Sequence, residues 1–158
     1  MYIDNMVPIN MSAPPVTQAG SFHLNSTRAQ VFPLFTALAE RAWAPGWDPE
    51  ILSGEAERGS AFRTHNPHGG ETIWIVTKFQ PLQGRVSYAR VALGSNIGLV
   101  DVICTEPAGG GTDVSVRYTL TALSEKGRDF VRDFLDAGHY SAMIDEWRAA
   151  TSEALARI

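Results

Sequence analysis

The chain has 158 residues, of which 44% are hydrophobic and 19% charged, and its formal net charge is -4. That length supports a substantial core, and the balance is that of a folded globular protein rather than a disordered one. The negative charge and the lack of any basic run argue against nucleic acid or an anionic membrane surface as the main partner, and no stretch approaches the ~20 apolar residues of a membrane-spanning helix.

Residues 1–15 are polar and proline-bearing, and carry Met1, Met6 and Met11. No cationic segment precedes an apolar run, so this is not read as a secretory signal. We expect a flexible arm over 1–15, with Met11 as an alternative start, followed by one domain over 16–158. The single cysteine, Cys104, excludes an internal disulfide and fits a reducing, cytoplasmic setting. It lies in a strand-like run, which reads as a packed or surface strand thiol rather than a nucleophile.

The pattern from Val16 to Leu24 predicts a strand with Phe22 and Leu24 on one face. Ser26 or Thr27 can cap the helix that follows, because their hydroxyls accept the free first-turn amides. That helix carries Val31, Phe32, Leu34, Phe35 and Leu38, and Pro33 breaks it into one short helix or a kinked pair. The segment from Trp43 to Pro49 reads as a rigid aromatic loop around Pro45-Gly46. Five strands follow: Ser60–Asn66, Glu71–Gln80, Arg85–Leu93, Ile97–Glu106 and Thr112–Ala122, split by turns rich in Gly and Pro.

From Ser124 to Ile158 there is no proline. Phe130, Phe134, Ala137, Ser141, Ile144, Trp147, Thr151, Leu155 and Ile158 recur at three- and four-residue steps, which predicts a long amphipathic helix. Within it, Gly138 marks a bend or is simply tolerated. A meander of strands followed by one long helix predicts a curved antiparallel sheet closed by that helix, enclosing a cavity for a small molecule.

No nucleophile elbow, P-loop, dinucleotide fingerprint or zinc motif is present. His65 and His68 flank Asn66-Pro67 in a turn, but two imidazoles without a carboxylate do not complete a metal site. His23, between Phe22 and Leu24, is expected to face outward. Gly109–Gly111 is a hairpin tip, since no Lys-Ser/Thr and no helix follows it. The sequence therefore calls for no cofactor and no metal.

The stretch from Phe22 to Phe35, the strand pair joined by Phe79-Gln80-Pro81, the Gly109-Gly110-Gly111-Thr112 hairpin, and Tyr140 and Trp147 in the last helix resemble the helix-grip superfamily. This group, also called SRPBCC, includes START-related lipid-transfer domains, Bet v-type allergens, polyketide cyclases and Hsp90-activator-like proteins. The resemblance covers Val16 to Leu155. The segment from Trp43 to Glu50 is similar to a bacterial subgroup that mostly lacks an assigned function. It implies an α+β fold: an antiparallel sheet of about six strands wrapped around a long C-terminal helix, with two short helices after the first strand. Such patterns speak to fold far more than to chemistry.

The resemblance also implies a set of cavity residues. It points Ile73, Ile75, Thr77 and Phe79 inward, with Phe62 and Thr64 from the earlier strand and Val86, Tyr88 and Arg90 from the next. Leu99, Asp101, Ile103 and Thr105 share one face, as do Val114, Val116, Tyr118 and Leu120. Phe134 and Trp147 come from the last helix, where His139 either looks into the cavity mouth or is a partly exposed surface histidine, and Trp43 and Trp47 lie near the opening. Arg90 and Asp101 then form either a polar anchor for a carboxylate, phosphate or carbonyl head, or a structural ion pair at a wet rim. Tyr88 and Tyr118 either donate to a ligand or fill volume. Trp43 and Trp47 act either as a gate or as a plug that pins the loop.

Three functions compete. The first is a non-catalytic binder or carrier of a small, mostly apolar ligand, with a carboxylate or carbonyl as its candidate head group. The second is a cyclase or dehydratase using an acid–base pair such as Asp101 with Tyr88 or Tyr118, or His139. The third is a protein-interaction module with an exposed apolar patch around Trp74 on the outer face. A homodimer is compatible with all three.

Overall fold

The computed structural model describes residues 13–67 and 69–158. Most of the expected arm over 1–15, and His68, lie outside these residues.

Seven antiparallel strands form one sheet in the order β1-β7-β6-β5-β4-β3-β2. They are β1 (Val16–Leu24), β2 (Glu50–Ser53), β3 (Ala61–His65), β4 (Glu71–Gln80), β5 (Arg85–Ala92), β6 (Asn96–Thr105) and β7 (Thr112–Ala122). Strands β3 to β7 form a meander, and β1 returns to pair with β7. Only β2 goes beyond the sequence expectation. It is a short edge strand with a register shift between Ile51 and Ser53, and its only burial is partial.

After β1, the Thr27 hydroxyl accepts from the Gln30 amide, and the Gln30 side chain accepts in return from the Thr27 amide. This reciprocal cap starts α1 (Arg28–Val31). Pro33 then limits the chain to a 3-10 helix, Phe32–Phe35, which sends Phe32, Leu34 and Phe35 into the core. A second 3-10 helix, Ala39–Ala42, carries Glu40.

The C-terminal region is two helices, α2 (Glu125–Phe134) and α3 (Ala137–Ala156). The Asp136 carboxylate caps a new start by accepting from the His139 amide. The break resets the helical phase, so the stripe read from the sequence does not run through. Tyr140, Ile144, Thr151 and Ala154 are buried, whereas Ala137, Ser141 and Ile158 are exposed. Gly138 lies in the first turn of α3, beyond the break. The Tyr140 hydroxyl donates to the Val116 carbonyl of β7 at 2.7 Å, tying α3 to the sheet. Gly20 of β1 permits the approach, since a Cβ there would lie 2.8 Å from Cγ1 of Ile144.

Two strand faces differ from expectation. On β4 it is Thr72, Trp74 and Val76 that point inward, while Ile73 and Ile75 are 37% and 44% exposed on the outer face. Trp74 is fixed there by its indole, which donates to the Thr64 hydroxyl at 2.9 Å. A register shift between Val76 and Lys78 then offsets the alternation by one residue. Phe79 therefore turns inward after all and packs on Phe32, with ring centroids 5.8 Å apart.

On β6, Val100, Val102 and Cys104 are buried inward, and Leu99, Asp101 and Ile103 face out. Asp101 stands opposite Ser87, whose hydroxyl donates to its carboxylate at 2.6 Å. The outer face spares Asp101 the cost of a buried charge. The apolar patch expected around Trp74 is instead made outward by cross-strand rows, Ile73-Val91-Ile97 and Ile75-Ala89-Leu99.

Candidate functional site

Between the concave sheet face, the 3-10 turns and α3 lies a cavity of about 510 Å³. All four tryptophans of the chain, Trp43, Trp47, Trp74 and Trp147, line it. Phe62, Trp74 and Trp47 form one wall, with ring centroids 5.6–6.0 Å apart. Trp147 meets Trp43 edge-on at 5.0 Å and stacks on Phe35 at 6.3 Å. Tyr118, Phe134 and Phe130 continue the lining, with successive centroids at 5.1 and 5.4 Å. Exposed Pro45, Gly46, Asp48, His65 and Pro67 border the same cavity and mark its mouth.

Trp43 and Trp47 combine both roles considered for them. Their indoles donate to the Leu34 and Ala37 carbonyls, each at 2.7 Å, which pins the loop. Their rings nevertheless line the cavity.

The inward register of β5 and β7 brings Tyr88, Arg90 and Tyr118 to this lining. The Tyr88 hydroxyl is taken by the Phe35 carbonyl at 2.6 Å, and burial pushes its pKa far up. The Tyr118 hydroxyl makes no hydrogen bond among the described residues, and burial raises it to about 12. Arg90 is 8% exposed, and its Nε is buried without a partner. Desolvation lowers its pKa. Its one close partner among the described residues is the Trp74 ring, 5.0 Å from its guanidinium carbon.

The expected partner of Arg90 is not there. Arg90 points inward opposite Gly98, whereas Asp101 points outward opposite Ser87 and Arg117. Neither the anchor pair nor the rim ion pair forms.

Three other predicted residues fall outside the cavity lining. Ile75 faces out, Phe79 packs on Phe32 of the first 3-10 helix rather than at the cavity, and His139 is exposed at the start of α3, 6.1 Å from the Phe134 ring. The expected acid–base pairs therefore do not assemble: Asp101 and His139 lie elsewhere and the Tyr88 hydroxyl is engaged. Cys104 is a buried strand thiol, pushed up to about 12 by burial. His23 faces out and bonds Asp113 at 2.7 Å.

The residue that sequence reasoning missed is Glu40. It borders the cavity and is half-buried, and desolvation there pushes its carboxyl pKa up to about 8. No ion pair or side-chain hydrogen bond relieves it among the described residues. Its position in Ala39-Glu40-Arg41-Ala42 gives no periodic signal, because a 3-10 turn of four residues has no face to read. No group of three or more His, Cys, Asp or Glu able to hold a metal occurs among the described residues, and no helix there is long and apolar enough to cross a membrane.

A family model described as polyketide cyclase / dehydrase and lipid transport matches residues 16–150. Solved structures share the fold at low identity. Norcoclaurine synthase from Thalictrum flavum aligns over 100% of this chain and 97% of its own, with a TM-score of 0.69 and 10% identity. The same enzyme has been solved with dopamine and hydroxybenzaldehyde. Ginseng major latex-like protein 151 from Panax ginseng covers 88% and 96%, with a TM-score of 0.66 and 11% identity. An uncharacterised protein from Rhizobium leguminosarum covers 92% and 97%, with a TM-score of 0.64 and 16% identity. These likenesses establish the helix-grip fold. No curated protein matches the chain in sequence.

Proposed function

Because the chain belongs to the polyketide cyclase, dehydrase and lipid-transport family, we propose that it binds and carries a small, mostly apolar ligand in the cavity beneath α3. The observation that carries this reading is the aromatic enclosure of about 510 Å³ lined by all four tryptophans. That volume lies within the range of small-molecule sites, which are mostly apolar with a few convergent polar groups. The aromatic pair held by norcoclaurine synthase, a protein of the same fold, supports an aromatic ligand here. Native mass spectrometry with bicyclic aromatic compounds tests the reading. A one-to-one complex is expected, together with quenching of tryptophan emission. Val100→Phe, which would fill the cavity from the sheet side, should abolish both. Binding that survives this filling would locate the ligand elsewhere.

A second reading, an enzyme of the cyclase or dehydratase type, is favoured by one feature. Glu40, with its carboxyl raised to about 8, borders the same cavity as Arg90. A carboxyl near the working pH suits proton transfer, and a guanidinium suits a developing oxyanion. In that chemistry the Glu40 carboxylate takes an α-proton from a ketone while Arg90 holds the enolate oxygen, and the proton later returns. Deuterium exchange into 2-acetylnaphthalene, followed by NMR, is the test. Exchange lost in Glu40→Gln supports the reading, and no exchange above the buffer rate removes it.

A further inference from the structure

Resting on the binding reading above, we propose that the cavity selects ligands with a singly charged carboxylate head, held jointly by Arg90, Tyr118 and the Glu40 carboxyl. All three line one cavity, and none of their polar side-chain groups forms a hydrogen bond or ion pair with another described residue. Arg90 has a buried Nε without a partner, and no ion pair among the described residues includes Arg90 or Glu40. Tyr118 differs from Tyr88 and Tyr140, whose hydroxyls each donate to a carbonyl. Burying Arg90 Nε without a partner is costly, so an anionic occupant that pairs with Arg90 regains that cost, while Tyr118 and Glu40 offer it further hydrogen bonds.

Arg90 and Glu40 both act on Tyr118. Arg90 lowers the Tyr118 pKa and Glu40 raises it, so both lie within electrostatic reach of that hydroxyl. The other titratable groups at the cavity do not alter the balance. Tyr88 is engaged and stays neutral. Asp48, at the mouth, pairs with Arg41 at 3.0 Å, and His65 is exposed there. The lining contributed by α2 and α3 is Phe130, Phe134, Met143 and Trp147, none of them titratable.

The charge count sets the specificity. Below about pH 8 Glu40 is neutral and donates a hydrogen bond, so the buried set carries the single positive charge of Arg90. A monoanion neutralises it. A neutral ligand leaves Arg90 uncompensated, and a dianion brings one charge too many. Above about pH 8 Glu40 ionises, the set becomes neutral and the carboxylate is repelled.

The experiment is a fluorescence titration with three probes that share one apolar body: 2-naphthoate, the neutral 2-naphthamide, and 2-naphthyl phosphate, which is close to a dianion at neutral pH. At pH 7 naphthoate should bind roughly tenfold or more tighter than the amide, as expected for a charge-assisted hydrogen bond, and tighter than the phosphate. In Arg90→Gln the advantage of naphthoate over the amide should vanish, with amide binding retained as proof of an intact cavity. Between pH 7 and 9.5 naphthoate affinity should fall severalfold in the wild type and stay level in Glu40→Gln, while the amide shows no such fall. Equal binding of naphthoate and amide, or a preference that survives Arg90→Gln, overturns the proposal while leaving the binding reading intact. A pH-independent naphthoate affinity overturns the part assigned to Glu40. Failure of all three probes to bind would remove the binding reading as well.

Discussion

Arg90 and Trp74 stand directly opposite each other across the β4–β5 pair, with the guanidinium carbon 5.0 Å from the indole centroid. Among the described residues the ring face is the only close compensation this buried cation receives. Such a contact contributes about 0.5–2 kcal/mol, well below the cost of burying a charge. In the ligand-free protein Arg90 is therefore a liability to stability. Arg90→Met should raise stability by ~1–3 kcal/mol in denaturant melts while removing the carboxylate preference. A loss of stability would mean that Arg90 has a partner in solution.

Asp101 gives the complementary prediction. It accepts from Ser87 on the outer face and has no link to Arg90. Asp101→Asn should change stability by less than ~1 kcal/mol and leave ligand affinity unaltered, as for other partly exposed polar pairs. A double-mutant cycle with Arg90→Met should show no coupling beyond ~0.5 kcal/mol.

Trp147 packs on Phe35 and Trp43 but borders the cavity, so it is only half-buried. Its truncation to alanine should cost about 2 kcal/mol, less than the ~3–5 kcal/mol expected for Phe35→Ala, where the ring is fully enclosed. Urea titrations of the two variants check the order.

Glu40 makes stability depend on pH in a definite direction. Its pKa rises from 4.5 to about 8 on folding, so between these values the folded state binds more protons than the unfolded one. Stability from this group is full below about 4.5 and is lost as pH rises through about 8. Comparing wild type with Glu40→Gln by thermal melts from pH 4 to 9 should show the variant gaining on the wild type as pH rises. Parallel curves would mean that the carboxyl is solvated.

Much of the fold was legible because the strands are punctuated by Gly and Pro, and β1, β4 and β7 fall where their patterns place them. Strand face was legible only where the two faces differ in polarity. On β7, Val114, Val116, Tyr118 and Leu120 alternate with Asp113, Ser115 and Arg117, and the inward set is plain. On β4 and β6 both faces are apolar, so Ile73 and Ile75 competed with Trp74 and Val76, and Leu99 and Ile103 with Val100 and Val102. There the choice depends on partners distant in sequence, such as Thr64 for Trp74, and on the shift between Val76 and Lys78. The helix break at Asp136 was hidden because no proline marks it, and Gly138, the residue considered for a bend, falls just beyond it in the first turn of α3. Glu40 was hidden because only tertiary enclosure distinguishes it from any surface glutamate.

The most direct measurement is a crystal structure of the protein soaked with 2-naphthoate. The account predicts the naphthalene ring among Trp43, Trp74 and Trp147, with its carboxylate about 3 Å from the Arg90 guanidinium and within reach of the Tyr118 hydroxyl. A naphthoate bound only outside the cavity, or a cavity closed by collapsed side chains with Arg90 turned to solvent, would contradict it.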